Sequence, residues 1–400
     1  MAAVATFCRF SRYNLKTIRN LNCYSSNYLF FSTRSANMSG EKCETQQPTG
    51  VPLQQVVDQL TAFAPLSLAE PWDNVGLLLE PYTARPVSAI LLTNDLTRPV
   101  MQECLYKKID MIIAYHPPIF SGKKRITNKN WQDQLISCCM ENRIALYSPH
   151  TTWDSVPDGV TDWLASAFGD KSSFKSVSVL EPHTSFAKPA DHKFSVRVSC
   201  SGFSCGEESK IDDSLQKIGL KITNFDSDGS MRIFSGTCAK SSLLDLRSYA
   251  STLYDGSCEV YNLVPLPEPG TGGGRLVELK QPITIEAAID MMKAHLEVKH
   301  ARIAYAVGAT KETQISSIAV VPGSGAKPLS GVKADLYVTG EMQHHDVLAA
   351  THNHASVLMT THSDSERGFL TYFQDELTER LQGKVKIHVS QADCDPIQVV

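Results

Sequence analysis

Apolar residues at Leu53, Val56, Val57 and Leu60 recur at the i, i+3, i+4, i+7 interval of one helical face and stop before Pro65. The spacing predicts a first helix over residues 51–63. Two short apolar runs follow, Ser88-Ala-Ile-Leu-Leu-Thr93 and Met111-Ile-Ile-Ala-Tyr115, with a helical pattern between them over 99–108. The rhythm repeats in a helix over 131–142 and a strand over 144–147. An apolar strand, a short helix and another apolar strand are the pattern of a parallel βαβ unit, because strands buried on both faces carry no polar alternation. The fold class expected is α/β, with a mixed or parallel sheet.

The pattern changes after Gly169. Phe194, Val196 and Val198 alternate with polar neighbours, and an amphipathic helix follows with Ile211, Leu215 and Ile218. Next come a turn at Asp226-Ser-Asp-Gly229, a strand from Met231, a second helix with Leu243, Leu246, Tyr249 and Leu253, and a strand over 258–266. The order β-α-β-β-α-β predicts a small ferredoxin-like α+β module inserted into the larger domain. Its span is set at 185–268, leaving 38–184 and 269–400 as the two halves of the α/β domain. Pro265, Pro267, Pro269 and Gly270 to Gly274 read as a linker loop. Beyond it the strand–helix alternation resumes, with a helix over 283–296, strands over 318–321 and 335–338, a helix from 344, and a strand over 356–360.

Candidate chemistry collects just past the predicted strands. His116 follows one strand, His150 the next, and His362 the strand ending at Thr360. Open α/β sheets bind ligands at that edge, where strand ends deliver side chains into one crevice. His150 and Asp154 are four residues apart, as are His362 and Glu366, and on a helix such residues share a face. Each pair alone also fits a blander role, as a cap, a turn or a surface pair; three strand-end sites together favour a metal. Imidazole and carboxylate suit Zn²⁺, Mn²⁺ or Fe²⁺, as one ion or as two sharing a water, with Asp154 and Glu366 able to bridge. Gly340-Glu-Met-Gln-His-His345 adds Glu341 as a candidate general base and His344 or His345 as a partner or proton donor; a helix start with a first-turn acid explains Glu341 equally well. Val321-Pro-Gly-Ser-Gly-Ala326 could cradle an anion or form a plain tight turn, and Trp72-Asp-Asn-Val-Gly76 could line the site or cap local backbone.

Composition narrows the classes. Four hundred residues with 42% hydrophobic side chains can fill more than one core, and a net charge of −4 offers no field for direct nucleic-acid binding. No apolar run reaches the roughly 18–20 residues of a membrane span. The eleven cysteines form no CxxC pair, which suits buried thiols, with a Cys200–Cys205 disulfide as a minor alternative. Residues 1–37 carry Arg9, Arg12, Lys16, Arg19 and Arg34, five serines and no acid, the composition of a mitochondrial transit peptide. Met38 offers an internal start for a cytoplasmic or nuclear form.

Pro71-Trp-Asp-Asn-Val-Gly-Leu-Leu78, Asn94-Asp-Leu-Thr97, His116-Pro-Pro-Ile-Phe120, His150-Thr-Thr-Trp-Asp154, Gly323-Ser-Gly325, Thr339-Gly-Glu-Met-Gln-His-His345 and His362-Ser-Asp-Ser-Glu366 together resemble the NIF-three-like, GTP cyclohydrolase I type 2-like family, in its animal branch. The resemblance covers most of residues 50–400. It implies a NIF-three-like α/β domain, a dinuclear site with His116, Asp154, His362 and Glu366 as ligands, and a ring-forming homo-oligomer. Bacterial members carry a His-His pair before the proline; here Tyr115 precedes His116, and a phenol binds divalent ions poorly unless deprotonated. Two functions follow as expectations: a metal-dependent hydrolase of a nucleotide-like or phosphorylated small molecule, or a non-catalytic partner of transcriptional corepressor proteins.

Overall fold

A computed structural model describes residues 50–83, 85–185, 191–202 and 208–399. The expected transit peptide lies outside the described residues, as does Cys205 of the Cys200–Cys205 alternative. The chain forms two compact units, one from the residues up to Leu180 together with those from Gly273 onward, the other Glu181–Gly272. No helix among the described residues is long and apolar enough to cross a membrane.

The larger unit is built on two mixed sheets. The first takes β1 (Gly76–Leu79), β2 (Ala89–Thr93), β3 (Met111–Ala114) and β4 (Ala145–Ser148) from the N-terminal half. The second begins with β5 (Phe174–Ser185). In the inserted unit run β6 (Phe194–Cys200), β7 (Lys221–Asp228), β8 (Met231–Cys238) and β9 (Ser257–Asn262). From the C-terminal half come β10 (Leu266–Thr284), β11 (Arg302–Ala304), β12 (Gln314–Ser324), β13 (Leu336–Glu341), β14 (Ser356–Met359) and β15 (Lys386–Val389). The orders are β1-β4-β3-β2-β15 and β11-β14-β13-β12-β10-β5. β4, β3, β2 and β15 are parallel with β1 antiparallel, and β14, β13 and β12 are parallel with β11 and β10 antiparallel. The central parallel strands are buried on both faces, with Ile90, Leu91, Leu92, Ile112, Ile113, Val320 and Val338 all at 0% exposure, which is why their sequences run apolar without alternation.

The inserted unit packs two helices, Glu208–Ile218 and Leu243–Ala250, with a four-stranded antiparallel sheet ordered β7-β8-β6-β9. Numbered from its own first strand that order is 4-1-3-2 read from β9, a ferredoxin-like module. The segment expected as a linker loop is instead the first part of β10. Pro267 and Pro269 are two residues apart, so both missing N–H groups fall on the same edge of the strand and leave the other edge able to pair. Composition alone reads such a segment as loop.

Packing ties the core to the crevice. Trp153, at 0% exposure, sits against Phe63, Phe369 and Phe373, with ring centroids 6.4, 5.4 and 4.2 Å away. This cluster anchors the short helix Thr151–Ser155, which carries Asp154, against the helix Phe369–Arg380 that follows Glu366.

Candidate metal centre

The crevice lies at the C-terminal edges of β2, β3, β4 and β14, as the strand-end rule requires. His116 follows β3 through Tyr115, and His150 is the residue before helix Thr151–Ser155. His362 lies two residues before the helix Asp364–Arg367, and Glu366 lies within it. One donor atom each from His116, His362 and Glu366 lies within 4.8 Å of the others. His116 Nε2 is 3.4 Å from Glu366 Oε2, and His362 Nε2 is 3.5 Å from Glu366 Oε1.

Each histidine is held from behind by a carboxylate. His116 Nδ1 donates to Asp95 Oδ1 at 3.0 Å, His150 Nδ1 to Asp73 Oδ1 at 2.8 Å, and His362 Nδ1 to Glu341 Oε1 at 3.0 Å. A carboxylate only accepts, so the Nδ1 of each ring carries a proton. That fixes ring orientation and reserves Nε2 for a ligand, the arrangement that orients imidazoles around a metal. Asp73 also accepts from Thr151 N and Oγ1, which locks the turn in which His150 has φ +35°. Burial would raise the Asp73 carboxyl, but its bonds to His150 and Thr151 hold it below the ordinary value. Asp95 behaves likewise: burial would raise it, but the bond from His116, the charges of His116 and Arg367 and the bond from Asn94 together hold it below the ordinary value. Burial would lower His116, yet Asp95 and Glu366 together push it up to about 10. The carboxylates around His116 therefore make this pocket favourable to positive charge.

Backbone shape completes the fit. Gly323, in the turn ending β12, has φ +61°, and a Cβ there would stand 2.5 Å from Glu366 Oε1 and 3.2 Å from His362 Nε2. The turn thus serves as close backbone cover for the ligands, held by its N–H donating to Ser365 Oγ at 2.8 Å. Asn94 Nδ2 donates to Glu366 Oε2 at 3.1 Å, supporting the buried carboxylate.

Asp154 and Tyr115 form the other side. The Tyr115 hydroxyl donates to Asp154 Oδ1 at 2.6 Å, and its ring lies edge-on to His150 and His116 at 5.6 and 5.1 Å. Burial, then the charges of Asp154 and Glu366, push the Tyr115 phenol well above its ordinary value. Burial raises Asp154 to about 6 against the opposing bond from Tyr115 and charge of His150. His150 belongs to the same wall, its ring 5.4 Å from that of His116. Glu341 is committed to His362, whereas His345 is exposed on the helix His344–His352, beside His344. Asp95 and Asn94 gained no role from residue spacing. They lie just past β2, so the strand-end rule that found the histidines reaches them too.

The sequence matches the Duf34/NIF3 (NGG1p interacting factor 3) family over residues 51–396. It is 39% identical over 355 residues to NIF3-like protein 1 of Bos taurus, covering 87% of this chain and 92% of that one. It is 29% identical over 365 residues to the NGG1-interacting factor 3 of Saccharomyces cerevisiae, covering 88% and 98%. Among solved structures, one of a Staphylococcus aureus protein superposes with a TM-score of 0.68 at 22% identity, covering 88% of this chain and 99% of that one.

Proposed function

The chain belongs to the Duf34/NIF3 family, and on that premise we propose that it is a metal-dependent hydrolase of a nucleotide-like or other phosphorylated small molecule. It works at one divalent ion, Zn²⁺, Mn²⁺ or Fe²⁺, held by His116, His362 and Glu366. The observation that carries this reading is the set of carboxylates behind the imidazoles, which leaves Nε2 of each free for a ligand. An ion held there supplies a Lewis acid and a water of lowered pKa. Asp154, with Oδ1 engaged by Tyr115, keeps Oδ2 as the acceptor for a water proton. Glu341 orients His362, a supporting role in place of the general base, and His345 takes no part. One ion is favoured over two because, among the described residues, only one set of three donors converges.

The second reading is a non-catalytic protein acting in transcriptional corepression through protein partners. The name of the yeast relative, an NGG1-interacting factor, favours it. A homo-oligomer is compatible with both. Purified protein loaded with Zn²⁺ or Mn²⁺ is assayed on p-nitrophenyl phosphate and a panel of nucleotides, beside folded His362→Ala and Glu366→Ala variants. Turnover that disappears in both variants supports the hydrolase. No turnover by the loaded protein, or turnover unchanged in both variants, sinks it and leaves the partner reading.

A further inference from the structure

The C-terminal segment after β15 is tied to both halves of the crevice. It turns back at Ser390, whose hydroxyl donates to Glu103 Oε2 at 2.6 Å, while the N–H groups of Gln391 and Ala392 donate to the same carboxylate. The turn delivers Asp393 and Asp395 behind the candidate ligands. Asp393 Oδ2 accepts Asn94 N at 2.7 Å and Arg367 Nε at 3.4 Å. Asn94 in turn supports Glu366, and its neighbour Asp95 holds His116.

Asp395 serves the other half. Its Oδ2 accepts from Ser363 Oγ at 2.7 Å and lies 2.9 Å from Thr361 Oγ1, whose single proton it shares with Asp364 Oδ2 at the same distance; Thr361 and Ser363 flank His362. Thr361 has φ +88°, a region a β-branched residue enters only when its surroundings hold it there. Arg367, just after Glu366, adds bonds to Asp364 Oδ1 at 2.8 Å and Ser363 Oγ at 2.9 Å. Sequence separation makes the arrangement informative, since the tail, about thirty residues past His362 and about three hundred past β2, is bonded both to the end of β2 and to the loop carrying His362.

We propose that Asp393 and Asp395 are positioning residues for the metal centre, setting its affinity by fixing the backbone on both sides of the ligands. This rests on the metal-site reading above. Residues that orient metal ligands from behind typically change affinity about 10–100-fold when removed. A tail that only stabilised the fold would change melting and leave affinity alone.

Zn²⁺ affinity, measured by competition with a chromophoric chelator, and the melting temperature of metal-stripped protein are compared for the full chain and three variants. Asp395→Ala is expected to weaken Zn²⁺ binding about 10–100-fold. Asp395→Asn, whose amide oxygen can still accept from Thr361 and Ser363, is expected to stay within about threefold of the unsubstituted chain. Ser363→Ala, a small change that removes the bond to Asp395 and the one from Arg367 and remains informative should Asp395→Ala fail to fold, is expected to lie between them. Unchanged affinity in Asp395→Ala and Ser363→Ala overturns the proposal while leaving the metal site standing. No Zn²⁺ binding by the unsubstituted chain overturns the metal-site reading and this proposal with it.

Discussion

Gly323→Ala is the substitution whose effect follows most directly from the geometry. Two costs separate cleanly. The backbone at φ +61° is left-handed, which for a residue with a Cβ costs roughly 1–2 kcal/mol. That alone lowers the melting temperature by a few degrees at most, since about 2–4 °C per kcal/mol holds for roughly 150–250 residues and the shift shrinks as the chain grows. The second cost is local: the new methyl would sit 2.5 Å from Glu366 Oε1 and 3.2 Å from His362 Nε2. Both are metal-ligating atoms in the proposed site, and a metal constellation tolerates displacements of only about 0.5 Å. Glu366 is buried and bonded to Asn94, so it cannot swing aside freely. Divalent-ion affinity should therefore fall at least about tenfold, the lower end of what misplaced ligands cost. Gly331→Ala isolates the first cost, since Gly331 has φ +76° with nothing within 4 Å of its would-be Cβ. Thermal melting of metal-stripped protein should show similar losses in both variants, and calorimetric titration with Zn²⁺ should show weakened binding in Gly323→Ala alone. Wild-type affinity in Gly323→Ala would refute the placement of Glu366 and His362 around the turn.

Other predictions concern the scaffold. His295 stacks on Trp163 with ring centroids 4.6 Å apart, and burial pushes it down to about 4. Its folded form takes up a proton later than the unfolded chain, so its contribution is complete above about pH 6.5 and is lost as pH falls toward 4, a change of about 3 kcal/mol. Denaturant titrations of His295→Leu between pH 7 and 4 should show a correspondingly shallower decline; an identical pH slope refutes the assignment. Arg275, 2% exposed, makes bonds of 2.8 and 3.0 Å to Asp162, so Asp162→Ala should cost about 3–5 kcal/mol by removing the carboxylate that holds a buried guanidinium through two bonds. Urea unfolding checks this, and a loss below about 1 kcal/mol contradicts it. Trp153→Ala should cost about 3–5 kcal/mol and loosen the helix carrying Asp154, lowering both the urea midpoint and Zn²⁺ affinity, whereas an unchanged midpoint would contradict the packing described.

Much of this was legible in the chain because the signals were local. Strand ends followed by His116, His150 and His362 are read from apolar runs and the residue after them, and His362 with Glu366 from a four-residue interval. What was not legible arises between loops distant in sequence. Glu341, read from its neighbours, fitted a general base or a first-turn helix acid equally well; that it ends β13 and reaches the His362 ring depends on how β13 and β14 align. Asp73 and Asp95 could be placed near the site by their turn and strand-end positions, but which imidazole each holds appears only once the loops are folded together. The division of the strands between two sheets, and the run of β10 through Pro267, Pro269 and the glycines, reflect pairing partners that periodicity cannot specify. Tyr115 could be recognised as a phenol where a ligand was expected, but its bond to Asp154 required the fold.

The most direct test is the metal content of the purified protein, by inductively coupled plasma mass spectrometry, with Glu366→Ala and Tyr115→His measured alongside. The proposed single-ion centre predicts one divalent ion per chain, lost in Glu366→Ala, with a second gained in Tyr115→His as an imidazole replaces the phenol at Asp154. Two ions per unsubstituted chain would contradict the single-ion centre, and none would contradict the metal site itself.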